Sequence, residues 1–207
     1  MLDVFPRFAD DPRRRPPEVP AEPTLKIRQP AGDERLVPVS DLVASEAAVD
    51  RTVDFHCVTT WSVLNQTWTG VPLRTWWAST IGPLDQTPFA VVVGLDGHRA
   101  VFVVDDVFAD DVLLAWNLNG EPLDHRHGAP LRLVSPGQYG YKNVKHVAAI
   151  ELHAERPVST LGAKEHLRAR VAEEERHSRW PAWLVRWPYR ALVPATAIAA
   201  ERSGRQR

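Results

Sequence analysis

The sequence predicts a mixed α+β fold, rich in β-strands and with short helices. Three observations carry this expectation. Strand-like runs of alternating or continuous apolar residues, many β-branched, recur along the chain. Helical stretches are few and short. Strand and helix do not alternate regularly, which argues against a doubly wound parallel sheet. Eighteen prolines in 207 residues add long irregular connections.

The elements follow in order. Residues 1–23, "MLDVFPRFADDPRRRPPEVPAEP", read as an extended N-terminal arm. "TLKIRQ" is a first strand, opening a main domain over 24–160. "VSDLVAS" is a short helix with Ser40 as its N-cap. "RTVDFHCV" alternates and is β-branched, so it is a strand that carries Cys57 to its end. "TWTGVPLRTWWAST" breaks at Gly70 and restarts as a helix near Pro72. "FAVVVGLDG" and "RAVFVVDD" are two strands around a Gly/Asp turn. "VLLAWNLNGEPL" is a strand or short helix ending in a turn. "APLRLVSPG" is a strand stopped by Pro136-Gly137, and "VKHVAAIELHA" is a last strand. Residues 164–179, "KEHLRARVAEEERHSR", are helical by propensity. They belong to a charged, Trp-rich tail, 161–207, expected to pack on the domain.

Composition bounds the function. The net charge of −1 gives no global pull toward nucleic acid or an anionic membrane. No window approaches the roughly 20 apolar residues of a transmembrane span. "RRR" at 13–15 leads into Pro-Pro-Glu, not an export signal's apolar stretch, so the expectation is a soluble cytoplasmic protein. The single cysteine excludes a disulfide scaffold and a multi-cysteine zinc or iron–sulfur site.

That cysteine sits in "DFHCVTTWS". Its plain reading is a small buried hydrophobe. A nucleophile needs a partnering histidine, and His56, next along a strand, points to the opposite face. A metal needs further ligands, which a bound cofactor can bring. The second notable stretch, "HRHGAPLRLVSPGQYGYKNVKH", gathers His125, Arg126, His127, Arg132, Lys142, Lys145 and His146. Its plain reading is a solvated basic hairpin. Its functional reading is an anion grip: Arg132 lies within an apolar strand pattern, where a guanidinium needs a partner. Gly128, Gly137 and Gly140 would let a ligand approach the backbone. The spacing is not that of a Walker loop.

Taken together these motifs resemble the molybdopterin-binding domain of the sulfite oxidase family. "FHCVTTWS" is similar to that family's strand ending in a molybdenum-ligating cysteine, and "WTGVPL" at 68–73 to the segment after it. "HGAPLRLVSPGQYGYKNVKHVAAIEL" resembles its H/N-G-x-P-x-R-x-V-x-P…G-x-K-x-x-K block. The likeness covers roughly residues 50–153 and is greatest to short stand-alone sulfite oxidase-like oxidoreductases, which share an "FPRF"-like start.

The resemblance implies a molybdenum–molybdopterin cofactor and oxygen-atom transfer on a small substrate. The alternative is a non-catalytic cofactor-binding or interaction module on the same fold. Cys57 would be the protein thiolate on molybdenum, with the pterin dithiolene supplying the other soft ligands. His127, Arg132 and Lys145 would hold the pterin and its phosphate, with Lys142, Asn143 and Val144 beside them. Thr59, Thr60, Trp61 and Ser62 would surround the metal. Tyr139 and Tyr141 would face its open position, and Phe5, Arg7 and Phe8 would close over the cofactor. A separate electron-transfer partner is implied, because no haem or iron–sulfur motif is present. The departures bear on substrate. The sulfite-binding arginine cluster has no evident counterpart. Thr59 stands where the periplasmic methionine-sulfoxide reductase has a glutamate. Neither substrate is therefore carried over.

Overall fold

The computed structural model describes residues 17–59, 61–84, 86–162, 165–180, 184, 187–188 and 190–191. In chain order the elements are β1 (Thr24–Arg28), β2 (Glu34–Pro38), α1 (Val39–Val43), β3 (Val49–His56), β4 (Ser62–Pro72) and α2 (Leu73–Thr80). They continue with β5 (Phe89–Gly94), β6 (Arg99–Val103), α3 (Val104–Val107), β7 (Leu113–Leu118), β8 (Glu121–Pro122), β9 (Arg132–Val134) and β10 (Val147–His153). A 3-10 turn, Gly140–Lys142, lies between β9 and β10. The architecture is the β-rich mixed fold with short helices that the sequence predicts.

Two five-stranded sheets form the body. One has the order β2-β1-β10-β5-β6; the other runs β3-β4-β7-β8, with β9 added against β7. β1 and β10 are parallel, Lys26 facing Ala149, so the first and last strands of the domain lie side by side. Glu151 of β10 fastens that sheet: it accepts from Arg99 on β6 (2.7 Å) and from Arg28 on β1 (3.4 Å). The main core includes Trp76, Trp77, Phe102, Phe108, Leu131 and Ile150. A smaller core, Phe55, Trp61, Val63, Trp68, Leu113 and Val134, lies on the second sheet, and Cys57 packs against its edge. This smaller core positions the candidate site.

Several expectations need correction. β4 runs unbroken through Gly70 and ends only at Pro72. The glycine is there because β7 presses close: a Cβ would lie 2.7 Å from the Ala115 Cα. Ser40 is not the N-cap of α1; Pro38 holds that position without a side-chain cap. "VLLAWNL" is a strand, since both its faces are covered by the two cores. β2 and α3 were not anticipated.

The largest difference is at 164–179. Among the described residues there, no helix forms. The segment is instead laid against the loop before β10. The Tyr139 amide donates to the Ala169 carbonyl (3.0 Å), and the Val171 amide to the Gly137 carbonyl (2.9 Å). Ala169 and Glu174 take positive φ values of 53° and 51°, which no helix accommodates. Tertiary hydrogen bonds override a strong local propensity.

Candidate functional site

The thiol lies just past the end of β3, because the chain must turn there to start β4. That turn is closed by the Cys57 amide donating to the Trp61 carbonyl at 2.9 Å. Cys57 is half-buried, and its Sγ lies 3.1 Å from Thr59 Oγ1. Burial pushes the thiol above the ordinary cysteine range, while the Thr59 contact and the Arg176 charge oppose it. His56 does not activate it: its Nδ1 is paired with Ser62 Oγ at 2.8 Å. Trp61 is buried, with its ring centre 6.1 Å from that of Phe55.

The cationic loop is brought onto this turn by β9. Arg132, the first residue of β9, is buried, with its guanidinium carbon 5.8 Å from the Phe55 ring centre and 5.3 Å from that of Trp68. Its Nη1 donates to the His127 carbonyl (2.8 Å). Burial pulls its pKa down from the ordinary arginine range to about 9, so it stays charged at neutral pH. An anion alongside would offset that desolvation. His127 Nδ1 pairs with Asp124 at 2.7 Å, and Lys145 Nζ donates to the Arg126 carbonyl at 2.5 Å. His146 Nδ1 donates to the Ala129 carbonyl (2.6 Å), and burial lowers its pKa.

Phe55 joins the two halves. It is two residues from Cys57, stacks near Trp61, lies under Arg132 and fills the space over Gly140. A Cβ at Gly140 would fall within 2.9 Å of Phe55 Cε1. At two of the three glycines the expected ligand approach is thus taken by protein: Gly140 receives Phe55, and Gly128 receives Lys145, whereas a Cβ at Gly137 would meet only Asp111 Oδ2 at 3.9 Å. Gly140→Ala is expected to force Phe55 aside and cost about 1–3 kcal/mol, read as a fall in thermal midpoint. A midpoint equal to that of the unsubstituted protein would contradict this packing.

Other named residues fall into distinct places. Lys142 is not at the cationic loop's surface. Its Nζ is fully buried and committed to the Glu165 carboxylate and the Val101 carbonyl, facing β6. Asn143 is spent on Ser135, accepting from its amide (2.9 Å) and donating to its carbonyl (3.3 Å). The Val144 carbonyl accepts from the Leu133 amide (2.8 Å). These three brace the loop from beneath. The tyrosines differ too: the Tyr141 hydroxyl accepts from the His166 amide (3.2 Å), whereas Tyr139 is buried with its hydroxyl unpartnered. Thr60, Phe5, Arg7 and Phe8 lie outside the described residues.

One residue escaped the sequence reading. Arg176 donates through Nη1 to the Val58 carbonyl (2.7 Å), and its guanidinium carbon is 4.9 Å from the Tyr139 ring centre. It comes from 118 residues further along the chain, inside a charged run with nothing to mark it.

The family model of the oxidoreductase molybdopterin binding domain matches residues 14–160. The chain is 36% identical over 102 residues to the uncharacterized oxidoreductase YuiH of Bacillus subtilis, covering 49% of this chain and 51% of the relative. It is 31% identical over 166 residues to the protein-methionine-sulfoxide reductase catalytic subunit MsrP of Gluconobacter oxydans, covering 69% and 52%. It therefore spans about half the length of the curated relatives it matches. The sulfane dehydrogenase SoxCD from Paracoccus pantotrophus superposes with a TM-score of 0.57 at 25% identity, over 65% of this chain and 39% of that one. With a matched span covering both the Cys57 turn and the cationic loop, the chain belongs to the family of oxidoreductase molybdopterin-binding domains.

Proposed function

We propose that this chain carries out oxygen-atom transfer on a small substrate, with Cys57 as the protein ligand to a molybdopterin-bound molybdenum. The observation that carries the reading is the meeting of the Cys57 turn and the cationic loop through Arg132 over Phe55. The donors suit the group. A thiol is the soft ligand such a metal takes, and a buried guanidinium flanked by Lys145 and His127 suits a pterin phosphate.

The cofactor, when bound, supplies the two-electron redox chemistry. The chain's own residues do the rest. The Thr59 hydroxyl holds the sulfur's orientation. Phe55 and Trp61 keep water from its inner side. Arg132, His127 and Lys145 hold the anionic end of the pterin. A separate electron-transfer partner exchanges electrons with the site singly.

The rival reading as a cysteine hydrolase is disfavoured, because His56 is engaged by Ser62 and the thiol is pushed up rather than down. The test is elemental analysis and cofactor release on protein purified from molybdenum-sufficient cells. Roughly one molybdenum per chain with a released pterin is expected. Metal-free protein with no pterin would overturn the proposal. Metal-loaded protein inert toward every small oxygen donor and acceptor would turn it into a storage or binding module.

A further inference from the structure

Toward the C-terminus the described residues lie on the outside of the molecule. From Ser178 to Ala191 every described residue is exposed. Three of them are large and apolar: Trp180 is 55% exposed, Leu184 42% and Trp187 73%. No other tryptophan among the described residues is exposed. Burying an indole is strongly favourable, so two of them left in water mark a surface that takes an occupant.

The segment is amphipathic. Residues 184, 187, 188, 190 and 191 are helical. On an α-helix Leu184, Trp187, Pro188 and Ala191 fall within an arc of about 100°, and Arg190 falls outside it. The charge is one-sided as well. Residues 177–200 hold Arg179, Arg186 and Arg190 and no aspartate or glutamate, in a chain whose net charge is −1. Aromatic bulk beside arginines with no carboxylate among them complements a surface that is apolar within and anionic at its rim. A bilayer with anionic headgroups is such a surface. A protein groove fits less well. It grips a regular helix through anchors on one face, and Pro181 and Pro188 each lack the amide that a regular helix uses. No helix among the described residues is long and apolar enough to cross a bilayer, so the segment would lie along its surface.

We propose that Trp180, Leu184 and Trp187, with Arg179 and Arg190, form a peripheral membrane-binding surface that seats the protein on anionic phospholipid headgroups. Arg176, just before it, donates to the Val58 carbonyl, which ties this seat to the domain beside the Cys57 turn. The proposal goes beyond the molybdenum reading and does not rest on it.

The test is cosedimentation of the purified full chain with vesicles at low ionic strength. Mixed phosphatidylglycerol–phosphatidylcholine vesicles should carry the protein down, pure phosphatidylcholine vesicles should leave it in solution, and added salt should release it. Arg179→Gln/Arg190→Gln is expected to weaken binding by roughly 10- to 30-fold, and Trp180→Ala/Trp187→Ala by at least as much. These side chains are exposed, so neither pair of substitutions should move the thermal midpoint, which separates binding from folding. The proposal is overturned if the parent stays in solution with the anionic vesicles, or if it binds both kinds of vesicle alike. It is also overturned if both double variants bind like the parent, which would place the contact on another surface. A lipid-free dimer that Trp187→Ala dissociates, together with no vesicle binding, would assign the face to a second copy of the chain instead. Metal-free protein should bind vesicles just as well, so failure of the proposed function and failure of this surface are read separately.

Discussion

Cys57→Ala is expected to give a folded protein whose molybdenum has one sulfur neighbour fewer and whose turnover has fallen by more than 100-fold. Loss of an outer-shell partner costs roughly 10- to 100-fold, and a direct ligand should cost more. The fold should survive. Cys57 is half-buried at the edge of the smaller core, and its turn is closed by the backbone bond from Cys57 to Trp61. Trimming one small side chain there costs about 1 kcal/mol. Cys57→Ser keeps the size and the Thr59 contact but offers a hard oxygen, so it should match alanine at the metal. X-ray absorption at the molybdenum edge counts the sulfurs. An unchanged count with unchanged turnover would remove Cys57 from the metal.

The same thiol gives a pH test. Its pKa is raised by burial, so at neutral pH the metal-free protein holds it protonated. Alkylation of apoprotein should therefore be slow at pH 7 and accelerate as the pH climbs past the ordinary cysteine range. Metal-loaded protein should be protected throughout, because a coordinating thiol is deprotonated and occupied. Fast alkylation of apoprotein near pH 6 would instead point to an activated nucleophile and revive the hydrolase reading.

How much of this was legible in the sequence depended on how local the cause was. β1, β3, β5, β6 and β10 follow from alternation or apolar runs bounded by turns, because a strand's two faces impose that pattern on the sequence itself. Arg132 was legible for the same reason: a charge inside an apolar strand is anomalous wherever the strand goes. Gly70 misled because a glycine that makes room for a neighbouring strand reads like a glycine that ends one. Residues 164–179 misled because propensity says nothing of partners. Lys142 sits one residue from Tyr141 and three from Lys145, in what looks like a single basic stretch, yet the 3-10 turn at Gly140–Lys142 sends its ammonium the other way. Arg176 was invisible, since its position is fixed by the fastening of a distant segment and not by its neighbours.

Lys142 and Glu165 carry the second large effect. Lys142→Met is expected to cost about 3–5 kcal/mol, the usual penalty for stranding one member of a buried pair. Both side chains are nearly inaccessible, at 0% and 3% exposure, so water cannot take over the lost partner. Glu165→Gln should cost a comparable amount at neutral pH. It leaves an ammonium that burial already drives below its ordinary range and removes the carboxylate that opposes the drive. The sign of the pH dependence follows. With the folded-state pKa depressed, the folded protein sheds the lysine proton before the unfolded chain does, so stability is recovered as pH rises toward the ordinary lysine value of 10.5. The thermal midpoint of Glu165→Gln should therefore converge on that of the parent at alkaline pH, while that of Lys142→Met should not. The double variant Lys142→Met/Glu165→Gln removes both charges and keeps an acceptor for the Val101 amide, which Glu165 Oε1 serves at 3.1 Å. It should be more stable than Lys142→Met alone, with a coupling of about 2–3 kcal/mol in the cycle. Additive losses, with no coupling between the two positions, would mean that the pair is not what fastens the segment at 164–179 to the domain.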